Sequence, residues 1–114
     1  MSHISTHVLD TSLGRPAAGV NVVLESADAK DNWTQLSHGT TDHYGRITAL
    51  LKPGTELIAG DYRIRFATGD YFRGLGITVF YPEVVVNVRF DTAGGRYHLP
   101  LLLSPFGYST YRGS

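Results

Sequence analysis

The sequence contains no cysteine, which excludes disulfide frameworks, thiol nucleophiles and cysteine-ligated zinc or iron–sulfur sites. It also has no surplus of charge, because ten Lys and Arg balance ten Asp and Glu. That balance argues against a nucleic-acid or anionic-membrane partner, since both need a basic surplus. No apolar run approaches the roughly 18 residues of a transmembrane helix, and residues 1–10 lack the features of a signal peptide. We therefore expect a cytoplasmic protein that does not enter a membrane.

The length and the hydrophobic pattern predict a single domain that spans residues 1–114. Apolar and polar residues alternate over 20–24, 62–66 and 84–90, which is the period of half-buried strands. Further strands are expected at 33–41 and 46–50. One short helix is expected within 68–76, with Asp70 as its cap.

Gly- and Pro-containing turns, including one at 92–95, separate these runs at intervals of roughly 8 to 15 residues. No rhythm of alternating strands and helices is present. The fold class predicted is all-β: an antiparallel β-sandwich of seven to eight strands with one short helix.

Strand parity separates three polar side chains from the apolar faces of their strands. His7 lies opposite Ile4 and Val8, Arg46 alternates with Ile47, and His98 alternates with the apolar residues around it. A histidine on an outer strand face is commonly a solvated residue, so parity alone leaves a functional and a purely structural interpretation open. Neither HxH nor HExxH occurs, and there is no GxSxG, so neither a metal site nor a serine nucleophile is predicted.

The C-terminal residues 101–114 continue a strand-like pattern to the last residue, with two tyrosines and an arginine. Terminal segments usually fray and carry little pattern. This tail is therefore expected to dock on the domain. The alternative is that it forms only a final edge strand.

Several segments together resemble the 5-hydroxyisourate hydrolases, the transthyretin-related enzymes. The resemblance rests on STHVLD at 5–10 followed by GRPA at 14–17, and on TDHYGR at 41–46. FYPEV at 80–84, YHLPLLLSP at 97–105 and the closing YRGS extend it along the whole chain. The resemblance implies a transthyretin-like sandwich.

The resemblance also implies a site and a reaction. His7, Arg46 and His98 would be catalytic, and the implied substrate-binding residues are His7, Arg46, His98, Tyr111, Arg112 and Ser114. The implied activity is cyclic amide hydrolysis in urate breakdown, in which a histidine activates water and an arginine stabilises the oxyanion, without metal or organic cofactor. Which histidine is the base stays open.

The implied partners are a small purine-derived substrate and further copies of the chain. The family is a homotetramer, a dimer of dimers, with its sites at the dimer–dimer interface.

Two residues depart from the family pattern: Tyr44 precedes Gly45, and Arg96 stands where many members carry another histidine. Two alternatives are a transthyretin-type carrier of a small apolar ligand, which has no use for a His–Arg–His cluster, and a β-sandwich interaction module, which leaves YRGS unexplained.

Overall fold

Two packed β-sheets make up the chain in a computed structural model, which describes residues 2–91 and 95–114. The strands are β1 (His3–Asp10), β2 (Arg15–Pro16), β3 (Asn21–Ala27), β4 (Trp33–Thr40), β5 (Arg46–Ile47), β6 (Gly60–Phe66), β7 (Val84–Phe90), β8 (Arg96–Ser104) and β9 (Gly107–Thr110). One helix, α1 (Thr68–Gly74), connects β6 to β7. Among the described residues, no helix is long and apolar enough to cross a membrane.

Sheet 1 has the order β2-β1-β8-β9, with β5 also paired to β1, and sheet 2 has the order β4-β3-β6-β7. The predicted all-β sandwich with one short helix is confirmed, although the described residues form nine strands, two of them only two residues long, where seven to eight were expected. One pairing differs from the expected antiparallel arrangement, because β1 and β8 run parallel. Antiparallel pairing is required only of strands that a short hairpin turn connects. β1 and β8 are far apart in sequence, so they can pair in parallel.

The two sheets bury the residues that strand parity placed inward. The fully or nearly buried ones include Ile4, Val8, Val22, Leu24, Tyr62, Ile64, Phe66, Leu101 and Leu103. The alternation in β7 is only half realised: its end residues Val84 and Phe90 are buried, but Val86 and Val88 are partly exposed. The reason is that β7 is an edge strand of sheet 2.

Two local predictions were wrong. The strand expected at 46–50 ends at Ile47, although the Leu50 N–H still donates to the Ile4 carbonyl at 2.9 Å. Asp70 does not cap α1: the N-cap position is Ala67, without a side-chain cap, and Asp70 lies in the first turn and pairs with Arg73 at 3.0 Å. The turn expected at 92–95 falls largely on residues 92–94, which lie outside the described residues.

The carboxylate of Asp10 fastens α1 to the end of β1. Its Oδ1 accepts hydrogen bonds from the Ser12 N–H at 3.0 Å and the Leu13 N–H at 3.1 Å, and its Oδ2 accepts one from the Tyr71 hydroxyl at 2.7 Å. Burial raises the pKa of Asp10, but the hydrogen bonds from Ser12, Tyr71 and Leu13 outweigh it and leave that pKa below its ordinary value. Burial, with the nearby Asp10, raises the pKa of Tyr71 to about 12.

Candidate active site

Strand β1 brings together the three polar residues that parity had separated from the core. In the register of sheet 1, Ser5 lies beside His98 on β8, and His7 lies beside Arg46 on β5. Because alternate residues of a strand share a face, the side chains at 5 and 7 project on the same side as those of His98 and Arg46. The predicted grouping of His7, Arg46 and His98 on one outer face is therefore what the strand pairing produces.

The turn between β4 and β5 positions Arg46. The Asp42 carboxylate accepts hydrogen bonds from the backbone N–H of Arg46 at 3.0 Å and of Tyr44 at 2.9 Å. The first of these bonds is the main cause that lowers the pKa of Asp42. Gly45 has φ of +76°, and a Cβ there would meet the Val8 carbonyl oxygen at 2.3 Å, so only glycine allows this turn to approach β1.

His98 is half-buried and is held by its neighbour on β1. Its Nδ1 lies 2.8 Å from Ser5 Oγ, which leaves Nε2 as the ring nitrogen that is not engaged by Ser5. Burial lowers the pKa of His98, and the positive charges of His7 and Arg46 lower it further, against a smaller opposing effect of the Ser5 backbone. His98 is therefore more readily neutral than an exposed histidine.

His7 is held by the same turn that carries Arg46. Its Nε2 lies 2.9 Å from the carbonyl oxygen of Tyr44. A carbonyl only accepts, so His7 Nε2 carries the hydrogen and donates it. Tyr44, the residue that departs from the family pattern, thus takes part through its backbone, while its ring is exposed and packs edge-on against His43.

The tail docks beside His98, as expected, and continues past the edge strand β9. β9 pairs with β8, and beyond it the Gly113 N–H donates to the His98 carbonyl at 2.8 Å. A Cβ on Gly113 would lie 2.5 Å from His98 Cδ2, so glycine is required for this close approach. The Arg112 guanidinium lies over the Tyr97 ring, 5.1 Å from its centroid, which helps to hold the tail in place.

A cavity of about 320 Å³ opens beside His98 on this face of sheet 1. Its lining residues are His3, Ser5, Thr6, Arg46, Ile47, Thr48, Arg96, Tyr97, His98 and Ser114. Of the predicted site residues, Arg46, His98 and Ser114 line it. Tyr111 and Arg112 line a neighbouring, more apolar cavity of about 270 Å³, and His98 borders both.

Sequence reasoning gave no role to His3, Ser5, Thr48 or Arg96, which also line this cavity. The signal for His3 and Ser5 was their shared parity with His7, and the signal for Arg96 was its parity with His98. Among the described residues, no group of three or more His, Asp or Glu side chains could hold a metal ion. The expectation that the reaction needs no cofactor stays a prediction.

Comparison with known proteins places the chain among close relatives. The sequence model of the HIUase/Transthyretin family matches residues 4–113. A 5-hydroxyisourate hydrolase of Salmonella dublin is 51% identical over 112 residues, covering 97% of this chain and 80% of that protein. A 5-hydroxyisourate hydrolase of Caulobacter vibrioides is 43% identical and covers 100% of both chains.

Solved structures agree with the sequence comparison. The 5-hydroxyisourate hydrolase of Klebsiella pneumoniae superposes with a TM-score of 0.84 at 37% identity, covering 100% of this chain and 94% of the other. Transthyretin from Sparus aurata gives a TM-score of 0.89 at 34% identity, covering 96% of this chain and 95% of the other. The predicted transthyretin-like sandwich is thereby confirmed.

Proposed function

The chain belongs to the HIUase/Transthyretin family, and we propose that it hydrolyses 5-hydroxyisourate to 2-oxo-4-hydroxy-4-carboxy-5-ureidoimidazoline in purine breakdown. Like its curated relatives, it is an enzyme of the hydrolase class. The observation that carries the proposal is the convergence of His7, Arg46 and His98 at one outer face of sheet 1, beside a docked tail.

His98 is the general base of the proposed reaction. In the proposed tautomer, Nδ1–H donates to Ser5 Oγ at 2.8 Å, and Nε2 keeps the free electron pair that takes a proton from water. The lowered pKa keeps the imidazole neutral and able to accept this proton near pH 7. His7 is assigned the role of hydrogen-bonding partner and not that of the base. Its Nε2–H is donated to the Tyr44 carbonyl, and this bond holds the ring near Arg46.

Arg46 stabilises the charge that develops on the substrate. The water oxygen attacks an acyl carbon of the ring, its proton passes to His98, and negative charge grows on the carbonyl oxygen. Arg46 provides fixed N–H donors for that oxygen. The acyl C–N bond then breaks and its electron pair goes to nitrogen, which takes up the proton that His98 had accepted. The carboxylic acid formed loses its remaining proton to solvent and becomes a carboxylate.

The tail completes the substrate site. Ser114 already lines the cavity, whereas Tyr111 and Arg112 border it from the adjoining space. The proposed role of the Tyr111 ring is to cover a planar substrate, and that of Arg112 is to fix the tail through its contact with Tyr97. The proposed substrate-binding set remains His7, Arg46, His98, Tyr111, Arg112 and Ser114, in which Arg112 acts by holding the tail and His7 by its place beside Arg46.

The active form is proposed to be a homotetramer, a dimer of dimers in which neighbouring subunits bury the face of His7, Arg46 and His98. Support comes from the cavity, which lies open on an outer sheet face in one chain. A cytoplasmic location and a single domain over 1–114 stay predictions. The carrier alternative is disfavoured, since the cavity includes two arginines and two histidines.

The decisive test is a spectrophotometric assay on freshly generated 5-hydroxyisourate. Replacing the base in His98→Asn is expected to lower the rate by about 10²- to 10⁴-fold while circular dichroism stays native. The matched control is His38→Asn, because His38 is exposed on β4 of the other sheet. A loss below about tenfold for His98→Asn would show that His98 is not the base.

A further inference from the structure

A second arginine, Arg96, lines the same cavity as Arg46. Arg96 begins β8 two residues before His98, so both side chains project from the same face of the strand. It lies in register with His3 on β1, and both residues line the cavity. Residues 96 and 98 lie about 6.6 Å apart along β8, and an extended arginine side chain is long enough to span that distance.

The charge of Arg96 is not neutralised by the described part of the chain. No Asp or Glu lines the cavity, and no carboxylate of residues 2–91 or 95–114 lies within 4.0 Å of Arg96. By contrast, Arg63, Arg65, Arg73 and Arg89 each form an ion pair with a carboxylate. The cavity therefore holds two arginines and no acidic side chain, in a protein whose net charge is zero.

We propose that Arg96, with His3 beside it, forms a carboxylate subsite next to His98. The inference rests on the proposed function, because hydrolysis there converts an acyl C–N bond into a carboxylate at the carbon attacked by the His98-activated water. A guanidinium presents two parallel N–H donors that match the two carboxylate oxygens.

The subsite is tested with two planar probes that differ by a carboxylate. Orotate carries a carboxylate on a uracil ring, and uracil is the same ring without it. We expect calorimetry on the full-length protein to show tighter binding of orotate than of uracil. In Arg96→Gln, the Kd of orotate is expected to rise roughly three- to tenfold, because Arg96 is exposed, and that of uracil to stay unchanged.

Two further variants separate the subsite from general electrostatics. Arg96→Lys keeps the charge without the two-pronged donor and is expected to lie between the native protein and Arg96→Gln. Arg73→Gln makes the same change in net charge on α1, away from the cavity, and is expected to leave orotate binding unchanged. An equal effect of Arg73→Gln and Arg96→Gln would overturn the subsite.

The remaining outcomes distinguish the subsite from the reaction. If the native protein binds orotate no better than uracil, or if Arg96→Gln weakens both probes alike, there is no carboxylate subsite at Arg96. Should that happen while 5-hydroxyisourate is still hydrolysed, the subsite fails and the proposed function stands. Orotate binding that depends on Arg96 in a native protein without hydrolysis would instead support the subsite and overturn the proposed function.

Discussion

At the scale of single residues, the charges around His98 set the pH range of the proposed reaction. Burial, and then His7 and Arg46, lower its pKa from the ordinary 6.5. A general base works in its neutral form, so the rate is expected to fall as pH drops, with a midpoint below 6.5. NMR titration of the ring is expected to give the same midpoint, and His7→Asn to move the His98 pKa upward because a positive charge is removed.

The NMR titration of His98 can also contradict this prediction. If His98 titrates at or above 6.5 in the native protein, the nearby positive charges do not act on it as the geometry requires.

The Asp10–Tyr71 hydrogen bond makes a prediction about stability. Tyr71→Phe removes one donor from a buried carboxylate and is expected to lower the free energy of unfolding by about 1–3 kcal/mol at pH 7. The folded-state pKa of Asp10 lies below the ordinary 3.8, so the stabilisation is present above 3.8 and is lost as pH falls through the lower value. Urea unfolding at pH 7 and near pH 3 measures both effects.

The control for this prediction is Tyr81→Phe, because the described residues show no hydrogen bond from Tyr81 to a buried carboxylate. If Tyr71→Phe is as stable as the native protein at pH 7, the hydroxyl contributes nothing to holding α1 on sheet 1.

At the scale of elements, the sequence could predict what depends on neighbouring residues. The period of two is local, and it correctly separated His7, Arg46 and His98 from the buried faces. The parallel pairing of β1 with β8 was not predictable in this way, because it joins strands from opposite ends of the chain. Parity with His7 and His98 places Ser5 and Arg96 on the outer face, but the contact of Ser5 with His98 and the proposed role of Arg96 depend on which strand lies alongside, which the sequence does not show.

The C-terminal tail is an element whose two interpretations lead to different experiments. A chain ending at Thr110 keeps β9 but loses the Gly113–His98 hydrogen bond. It is expected to fold, with a melting point lower by roughly 5 °C, and to lose at least about tenfold in hydrolysis rate. Thermal melting and the hydrolysis assay on the same samples check this.

A point variant separates loss of the tail from a shift in its position. Gly113→Ala keeps every other tail residue but places a Cβ 2.5 Å from His98 Cδ2, so it is expected to reduce the rate with little change in melting point. Full activity of the truncated chain would remove the tail from the site, and a small rate loss that parallels the loss of stability would favour the edge-strand interpretation.

At the scale of the whole molecule, composition conceals how the charges are arranged. The ten basic and ten acidic residues cancel, yet the cavity on sheet 1 gathers Arg46 and Arg96 without any Asp or Glu. On sheet 2, by contrast, Glu25 lies against Arg63 and Arg65, and Asp61 pairs with Arg89. Net charge disfavours an extended polyanion as partner, but only the fold locates the small region where two arginines line one cavity.

The proposed assembly makes the last prediction, and it concerns a patch of exposed aromatic rings: Phe80, Tyr81, Phe106 and Tyr108. Phe80 and Tyr81 pack edge to face at 5.0 Å, Tyr81 and Tyr108 at 5.2 Å, and the Phe80 N–H donates to the Pro105 carbonyl beside Phe106. Phe80 and Phe106 are each 72% exposed, and a contiguous apolar patch of this kind is typical of a subunit interface.

Sedimentation velocity at micromolar concentration is therefore expected to give a tetramer for the native chain and smaller species for Phe106→Lys, because a charge would be buried without a partner. Ile58→Lys is the matched control, since Ile58 is 77% exposed and lies outside the patch. If assembly completes the site, hydrolysis falls together with the tetramer fraction in Phe106→Lys and recovers at higher protein concentration. A native chain that sediments as an active monomer would mean that one sandwich suffices for catalysis.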